Sequence, residues 1–579
     1  MNLKRVMALL LSFMLLFMLL GGCAGDAETP VDEGTPTVTN GDEGAEDTGD
    51  TGDIGDTGFV SSTGIPMSAP GVLPITEEIT TISVLIQQLP FGLTDVTTNE
   101  FTLELEEMTN VHLDMLVVPS EVHRERMNLL MASGDYPEIF MGAGLSNADL
   151  VMFGTIDNFL IPLNDLIDTH GYNIHRLWEE FPHWRDDMIT PDGNIYGIPS
   201  IDSGGLGHGV ISYKLWINDV WLENLGLDRP TTTDEFRAVL EAFRDGDPTG
   251  TGVDVIPLTG AVGTWAAEVH LFLINAFGYF HESLYKVYDN QVLPVANTDY
   301  FRQAMEYIHG LYADGLIDPA AFTQNDSQFA ALGNYEGGPI VGAVTCGHIG
   351  MFISVDDVER SSQYTLLMPL MGPNGYRGIP KGGGRASGAS FVITDVALNP
   401  EIAIRLADAL MDEDVIVRSQ VGVKGVHWDD ADPGMMGVDG ETPATRQFLE
   451  YLHADGTAEN IVWSWTSRLL EPDWKNTFQV VGDIRDPLNY EAFLMRQTLL
   501  LFPYAATATQ LPPFFMDEAD ATRLSQILPP LQDFVRSSIV EFITGARCWN
   551  ADWYTYLDGL ERLNYDEYIA LMQSALDAR

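Results

Sequence analysis

The chain has 579 residues, 45% of them apolar, with 29 Lys and Arg against 84 Asp and Glu, a formal net charge of −55. That length leaves room for two or three domains with real cores. The acidic balance disfavours binding to nucleic acid, to anionic lipid headgroups and to anionic small molecules.

Lys4 and Arg5 precede an apolar run from Val6 to Leu20, broken only by Ser12, and then Leu20-Gly-Gly-Cys23. A basic start, a short apolar stretch and small residues before a cut point describe a secretory signal. The run falls short of the roughly 20 apolar residues a membrane span needs. Leu-Gly-Gly-Cys resembles the lipobox of bacterial lipoproteins. That resemblance implies cleavage after residue 22, lipidation of Cys23, and a place on the extracellular face of the cell membrane. Residues 24–60 hold 11 acidic residues and no Lys or Arg, with a recurring Asp-Thr-Gly. Such a stretch has little apolar surface to bury and repels itself, so residues 23–75 are expected to form a disordered tether.

From Ile82 a strand–helix rhythm begins. Ile82–Ile86 reads as a strand, Phe101–Met108 as a helix, and Val111–Val118 as a strand. Ser120 starts a helix through Met131, closed by Gly134, and Pro137–Met141 opens a further strand. Thr232 and Glu235 form a capping box. Asn399-Pro400 places a cap before a first-turn proline. The tail from Pro529 is helical, with Leu531, Phe534, Val535 and Ile539 on one face. Alternating strands and helices imply an α/β fold. Cys346 and Cys548 match no metal spacing; they form either one disulfide or two separate thiols.

Several segments resemble extracellular solute-binding proteins of family 1, which serve ABC importers. They are Met131-Ala-Ser-Gly-Asp-Tyr-Pro-Glu-Ile139, Gly193-Asn-Ile-Tyr-Gly-Ile-Pro199, and Trp221-Leu-Glu-Asn-Leu-Gly-Leu followed by Asp-Arg-Pro-Thr-Thr-Thr-Asp-Glu-Phe236. Asp247-Pro-Thr-Gly-Thr-Gly, Gly422-Val-Lys-Gly-Val-His-Trp428 and Phe542-Ile-Thr-Gly545 with Asp552-Trp553 continue the family's order. The resemblance implies a two-lobe fold of the type II periplasmic-binding-protein kind, with a ligand cleft between lobes and a helical C-terminal region. One lobe is expected from residues 76–200 with part of 345–395, the other from 201–344 and 396–579. The chain is expected to cross between them near Pro199–Gly205 and Gly382–Phe391. The implied function is capture of a carbohydrate, an oligosaccharide by subgroup, for delivery to membrane permease subunits by a monomeric receptor. Two other readings stay open: a sensor presenting its ligand to a membrane kinase, and the same fold holding a peptide or another solute.

Sugars present apolar C–H faces and a rim of hydroxyls, so aromatic faces and planar polar groups suit them. Trp265, Trp428, Trp463 and Trp465 lie beside loop signals. Gln87 and Gln88 end the first strand, and His348 follows the strand 340–345, where ligands of α/β sheets bind. Arg385 lies in a Gly-rich crossing. The loop at Asp247 is similar to a calcium loop of alginate-type binders, but Thr249 and Thr251 replace two Asn ligands and Val255 stands where an acid is expected. Asp245, Asp247 and Asp254 could still supply carboxylates, so calcium is a possible cofactor and otherwise none is implied. No His-Glu-x-x-His, Gly-x-Ser-x-Gly or Walker motif is present, and the adjacent pairs Glu106-Glu107 and Asp429-Asp430 are what 84 acidic residues produce by chance. Binding rather than catalysis is expected.

Overall fold

The computed structural model describes residues 58–88, 95–119, 122–202, 208–382, 388–450, 452, 460–463, 469–471, 476–511 and 514–578. The chain divides into Met1–Asp53 and Ile54–Arg579, and everything described lies in the second unit. The leader, Cys23 and residues 24–57 lie outside the described residues. The expected tether nevertheless ends earlier than residue 75. Met67 and Ile75 are fully buried. The Arg405 guanidinium donates to the carbonyls of Ser68 and Val72 at 2.9 and 2.8 Å. Ser61, Met67 and Ile75 anchor this segment: the two apolar side chains are buried and the Ser61 hydroxyl donates to Asn399 Oδ1.

Thr80–Gln88 (β1), Glu100–Thr109 (α1), Val111–Pro119 (β2), His123–Ser133 (α2) and Ile139–Leu145 (β3) follow in order. The first three agree closely with the sequence expectation, because β-branched alternation and helical spacing are both strong there. Ser120, the expected cap of α2, lies outside the described residues; Gly134 closes that helix in the left-handed region. β1 pairs in parallel with β2 and with β3. Ile82, Val84 and Ile86 enter one core while Leu85 enters another, so both faces of this sheet are covered.

The chain then builds a second sheet from Leu215–Asn218 (β4), Ile256–Thr259 (β5), Val341–Thr345 (β6) and Tyr364–Leu366 (β7). Thr233–Asp245 (α3) and Asp299–Ala313 (α4) lie between these strands in sequence. α3 begins with the expected capping box: Thr232 accepts from Glu235 N–H, and the Glu235 carboxylate accepts from Thr232 N–H. The sheet order is β7-β4-β6-β5, with β5 and β6 parallel. Its core takes Trp216, Phe236, Leu258, Phe301 and Val344.

Ala389–Ile393 (β8) returns to the first sheet, antiparallel to β3. Pro400–Ala409 (α5) and Glu413–Gln420 (α6) follow. Their buried Ile402, Leu406, Ile416 and Val417 share a core with Ile82 and Val84. Residues 400–420 therefore belong with the first lobe, not the second as the sequence reading has it. Asn399 precedes α5 but does not cap it with its side chain. Its Oδ1 accepts from the hydroxyls of Ser61 and Thr63 instead.

Tyr490–Leu499 (α7) leads back to the second lobe. Glu518–Thr544 (α8), Trp553–Arg562 (α9) and Tyr565–Asp577 (α10) complete the expected helical tail, with Leu531, Val535 and Ile539 buried and Phe534 partly so. Cys346 is buried, Cys548 is exposed, and both are free thiols. No helix among the described residues is long and apolar enough to cross a membrane.

Candidate functional site

Strand register fixes where the lobes face each other. β8 opens at Ala389, opposite Leu145 at the carboxyl end of β3. β4 opens at Leu215, opposite Thr345 at the carboxyl end of β6. The connections that end at residues 388 and 214 therefore arrive at the carboxyl ends of both sets of parallel strands. Ligands of α/β folds bind outside the carboxyl ends of the strands, so the loops that follow those ends are the candidate lining of a cleft. Gly382 N–H donates to Val210 O at 2.8 Å, so two connections run side by side. Gly204, Gly205 and Gly207 lie outside the described residues.

In the second lobe two loops meet at this end. Trp265 follows β5 and is 41% exposed, unusual for so large an apolar ring. Ala266 beside it adopts a φ of 53°, a strained conformation for a residue with a Cβ. The indole rests on Gly347: a Cβ there would lie 2.1 Å from the ring. Gly347 N–H donates to Trp265 O at 3.1 Å. His348 stands next to it, ring centroids 6.2 Å apart. His348 Nδ1 and the Tyr490 hydroxyl share a hydrogen bond of 2.9 Å, and that hydroxyl accepts Gly350 N–H at 2.7 Å.

Beneath this pair the backbone is held by buried groups. Lys214 Nζ donates to Gly347 O at 3.0 Å. Burial pulls its ammonium down to about 7. Burial also pushes the Cys346 thiol up. Trp216 Nε1 donates to Cys346 O at 3.1 Å, and Thr345 Oγ1 donates to Ala267 O at 2.7 Å, tying one loop to the other. Aromatic and imidazole groups are thus set on a rigid base rather than on loose chain. Lys214, Thr345, Gly347 and Tyr490 were missed by the sequence reading. The one signal for Lys214 is its place directly before the apolar run Leu215–Ile217.

In the first lobe Gln87 and Gln88 sit half-buried at the carboxyl end of β1. Directly after β3, the Asn147 amide donates to Phe514 O at 2.8 Å and accepts Gly388 N–H at 2.6 Å.

The remaining candidates divide. Trp265 and His348 come together. Arg385 and Trp465 lie outside the described residues. Trp428 and Trp463 are core residues of the first lobe and do not line the cleft. Trp463 is 2% exposed, donates from Nε1 to Thr102 Oγ1 at 2.7 Å and meets Phe101 edge-on at 5.0 Å. Trp428 is buried and donates to Gly422 O at 3.0 Å. Glycine neighbours signalled loops correctly, yet the rings turn inward because that burial is worth more than exposure.

The loop at Asp247 is closed by its own hydrogen bonds, which leave few free carboxylate oxygens for calcium. Asp247 Oδ1 accepts from Thr249 Oγ1, Thr251 N–H and Gly252 N–H. Asp245 is paired through both oxygens with Arg244 at 2.7 Å. Asp254 is exposed. No group of three or more His, Cys, Asp or Glu able to hold a metal occurs among the described residues. Calcium wants six to eight oxygens, several of them charged.

No protein-family model matches the chain. It is 28% identical over 523 residues, 88% of this chain and 92% of the other, to the fructooligosaccharide ABC transporter substrate-binding protein FusA of Streptococcus pneumoniae. It is 25% identical over 339 residues, 56% of this chain and 63% of the other, to the polygalacturonan/rhamnogalacturonan-binding protein YtcQ of Bacillus subtilis. Among solved structures, FusA in complex with kestose aligns with a TM-score of 0.72 at 25% identity, covering 86% of this chain and 99% of that one. An EF-hand mutant of FusA aligns at 0.74 and 24%, over the same shares of the two chains. The resemblance to extracellular solute-binding proteins and the two-lobe α/β fold are borne out.

Proposed function

We propose that this protein is the substrate-binding lipoprotein of an ABC importer, capturing an oligosaccharide between its lobes and delivering it to membrane permease subunits. The similarity to FusA over 88% of the chain carries this reading. The exposed Trp265 on its glycine seat, at the carboxyl end of the second sheet, supports it from the geometry. Trp265 supplies an apolar face for a sugar ring, and His348, Gln87 and Gln88 supply hydrogen bonds to hydroxyls. Closure then follows from contacts to both lobes, since a ligand shifts the open–closed balance only by its preference for the closed form. The activity is binding without turnover. Cys23 and the acidic residues after it anchor the receptor on the extracellular face of the membrane. That keeps it near its permease and raises the local concentration for docking.

Calorimetric titration of the detergent-solubilised full chain against a panel of oligosaccharides tests this. Saturable binding with no release of smaller sugars is the expected result. Hydrolysis of the panel, or binding of peptides in place of every sugar, would remove the proposal while leaving the fold.

A further inference from the structure

We propose, resting on the carbohydrate reading above, that the cleft accepts uncharged, hydroxyl-rich oligosaccharides and rejects uronate-containing ones, because Glu268 and Glu282 bring carboxylates to the same end of the second sheet as Trp265. Glu268 lies three residues after Trp265, in the loop that follows β5, and opens the short helix Val269–Leu273 without capping it. Its carboxyl is half-buried and accepts no hydrogen bond among the described residues. Burial holds it above the usual carboxylate range, with Arg536 the one opposing influence.

Glu282 accepts from the Tyr213 hydroxyl at 3.3 Å, and Tyr213 lies two residues before β4, where the connection between lobes arrives. Arg536 Nη2 stands 3.8 Å from Glu282 Oε1. Two carboxylates thus face one guanidinium. Of the described cations in the neighbouring connection, Arg377 lies 4.3 Å over Tyr504 and Lys381 lies 4.4 Å over Phe502.

A sugar hydroxyl entering beside Trp265 can donate to Glu268, and a hydrogen bond to a charged acceptor is roughly twice as strong as one between neutral groups. A uronate carboxylate in the same place has no proton to give and meets like charge in a partly desolvated setting. The net charge of −55 adds a long-range term of the same sign. Among the described residues one guanidinium, that of Arg536, opposes the two carboxylates, which favours hydroxyl donors over anions.

The test titrates the detergent-solubilised full chain with fructo- and malto-oligosaccharides of a few units and with oligogalacturonides of matched length. A neutral series bound at least tenfold more tightly supports the proposal. Weaker neutral binding in Glu268→Gln, together with a narrowed gap between the two series, supports it further. Unchanged melting temperature in that variant separates the effect from misfolding. Oligogalacturonides binding as tightly as the neutral series overturn this inference and leave the carbohydrate reading standing. So does a Glu268→Gln variant with both affinities unaltered. Binding of neither series overturns both.

Discussion

Asn147 accepts the backbone N–H of Gly388 through its side-chain oxygen at 2.6 Å. The same amide donates to Phe514 O at 2.8 Å, so one first-lobe side chain holds both the crossing that ends at Gly388 and a segment between two second-lobe helices. Gly388 has a φ of +67°, and a Cβ there would lie 2.0 Å from Leu145 O, which leaves no room for any other residue. Asn147→Ala removes both bonds and is expected to cost about 2 kcal/mol of stability, roughly 1 kcal/mol for each. Because one of these bonds holds the end of a connection between the lobes, ligand affinity should change as well, although Asn147 does not belong to the proposed contact set. Thermal melting and calorimetry on the same preparation check both. Unaltered affinity and melting temperature would show that the tie does nothing.

The seat under Trp265 gives a second prediction. Gly347→Ala places a methyl group 2.1 Å from the indole, so the ring must move. Gly347 also carries the bonds to Trp265 O and from Lys214. Sugar affinity should fall about tenfold, roughly 1.4 kcal/mol. Melting temperature should change little, since the ring is partly exposed. A fluorescence titration comparing Gly347→Ala with the parent chain decides it.

The two buried tryptophans behave in the opposite way. Trp463→Ala should cost roughly 3–5 kcal/mol of stability, the usual range for emptying an aromatic from a core. Thr102 and Phe101 lose their partner with it. Affinity in the folded fraction should stay the same. Trp265→Ala should abolish or strongly weaken binding and leave stability almost intact. If Trp463→Ala weakens binding without lowering stability, its assignment to the core is wrong.

How far the sequence could go follows from these residues. Local signals were readable: the alternation of Ile82, Val84 and Ile86, and the spacing of Thr232 and Glu235, are short-range facts of one strand and one cap. The family resemblance, carried by motifs in a fixed order, supplied the lobes. What could not be read is long-range. His348 and Tyr490 are 142 positions apart, and Asn147 meets Phe514 across 367. Trp428 and Trp265 have the same kind of glycine-flanked context, yet one points into a core and the other out. Return of α5 and α6 to the first lobe depends on which face their Ile and Leu residues meet, and chain order does not carry that.

Acid should destabilise the protein through its histidines. Burial lowers the imidazoles of His270 and His281 to about 4. His281 Nδ1 accepts Ser283 N–H at 3.1 Å, so protonation there breaks a bond. With the folded value below the ordinary 6.5, the unfolded chain holds more protons between pH 6.5 and 4. Stability is then full above pH 6.5 and falls as pH drops through that window, by up to roughly 1.4 kcal/mol per pH unit for each ring. Melting curves at pH 7, 5.5 and 4.5 should show the decline, and His281→Gln should flatten it. An equal slope in the variant would exclude His281 as a source.

The loop at Asp247 makes the last prediction, and FusA's EF-hand gives it contrast. Asp247 already accepts hydrogen bonds from Thr249, Thr251 and Gly252, and those bonds hold its carboxyl below the ordinary range. The loop closes on itself through one carboxylate, while Asp245 is committed to Arg244. A calcium ion would have to displace that pairing and draw in oxygens from Asp254, and threonine hydroxyls give it little in return. Chelator should therefore leave the melting temperature and sugar affinity unaltered. Asp247→Ala should lower the melting temperature slightly by releasing the turn, with no recovery on adding calcium. Heat of binding on titrating calcium into chelated protein, or a rise in melting temperature, would show that the hydroxyls suffice. Hydrogen bonding within the turn gives Thr at 249 and 251 a use there: each hydroxyl can bridge within the loop, as Thr249 and Thr251 do at 2.8 Å.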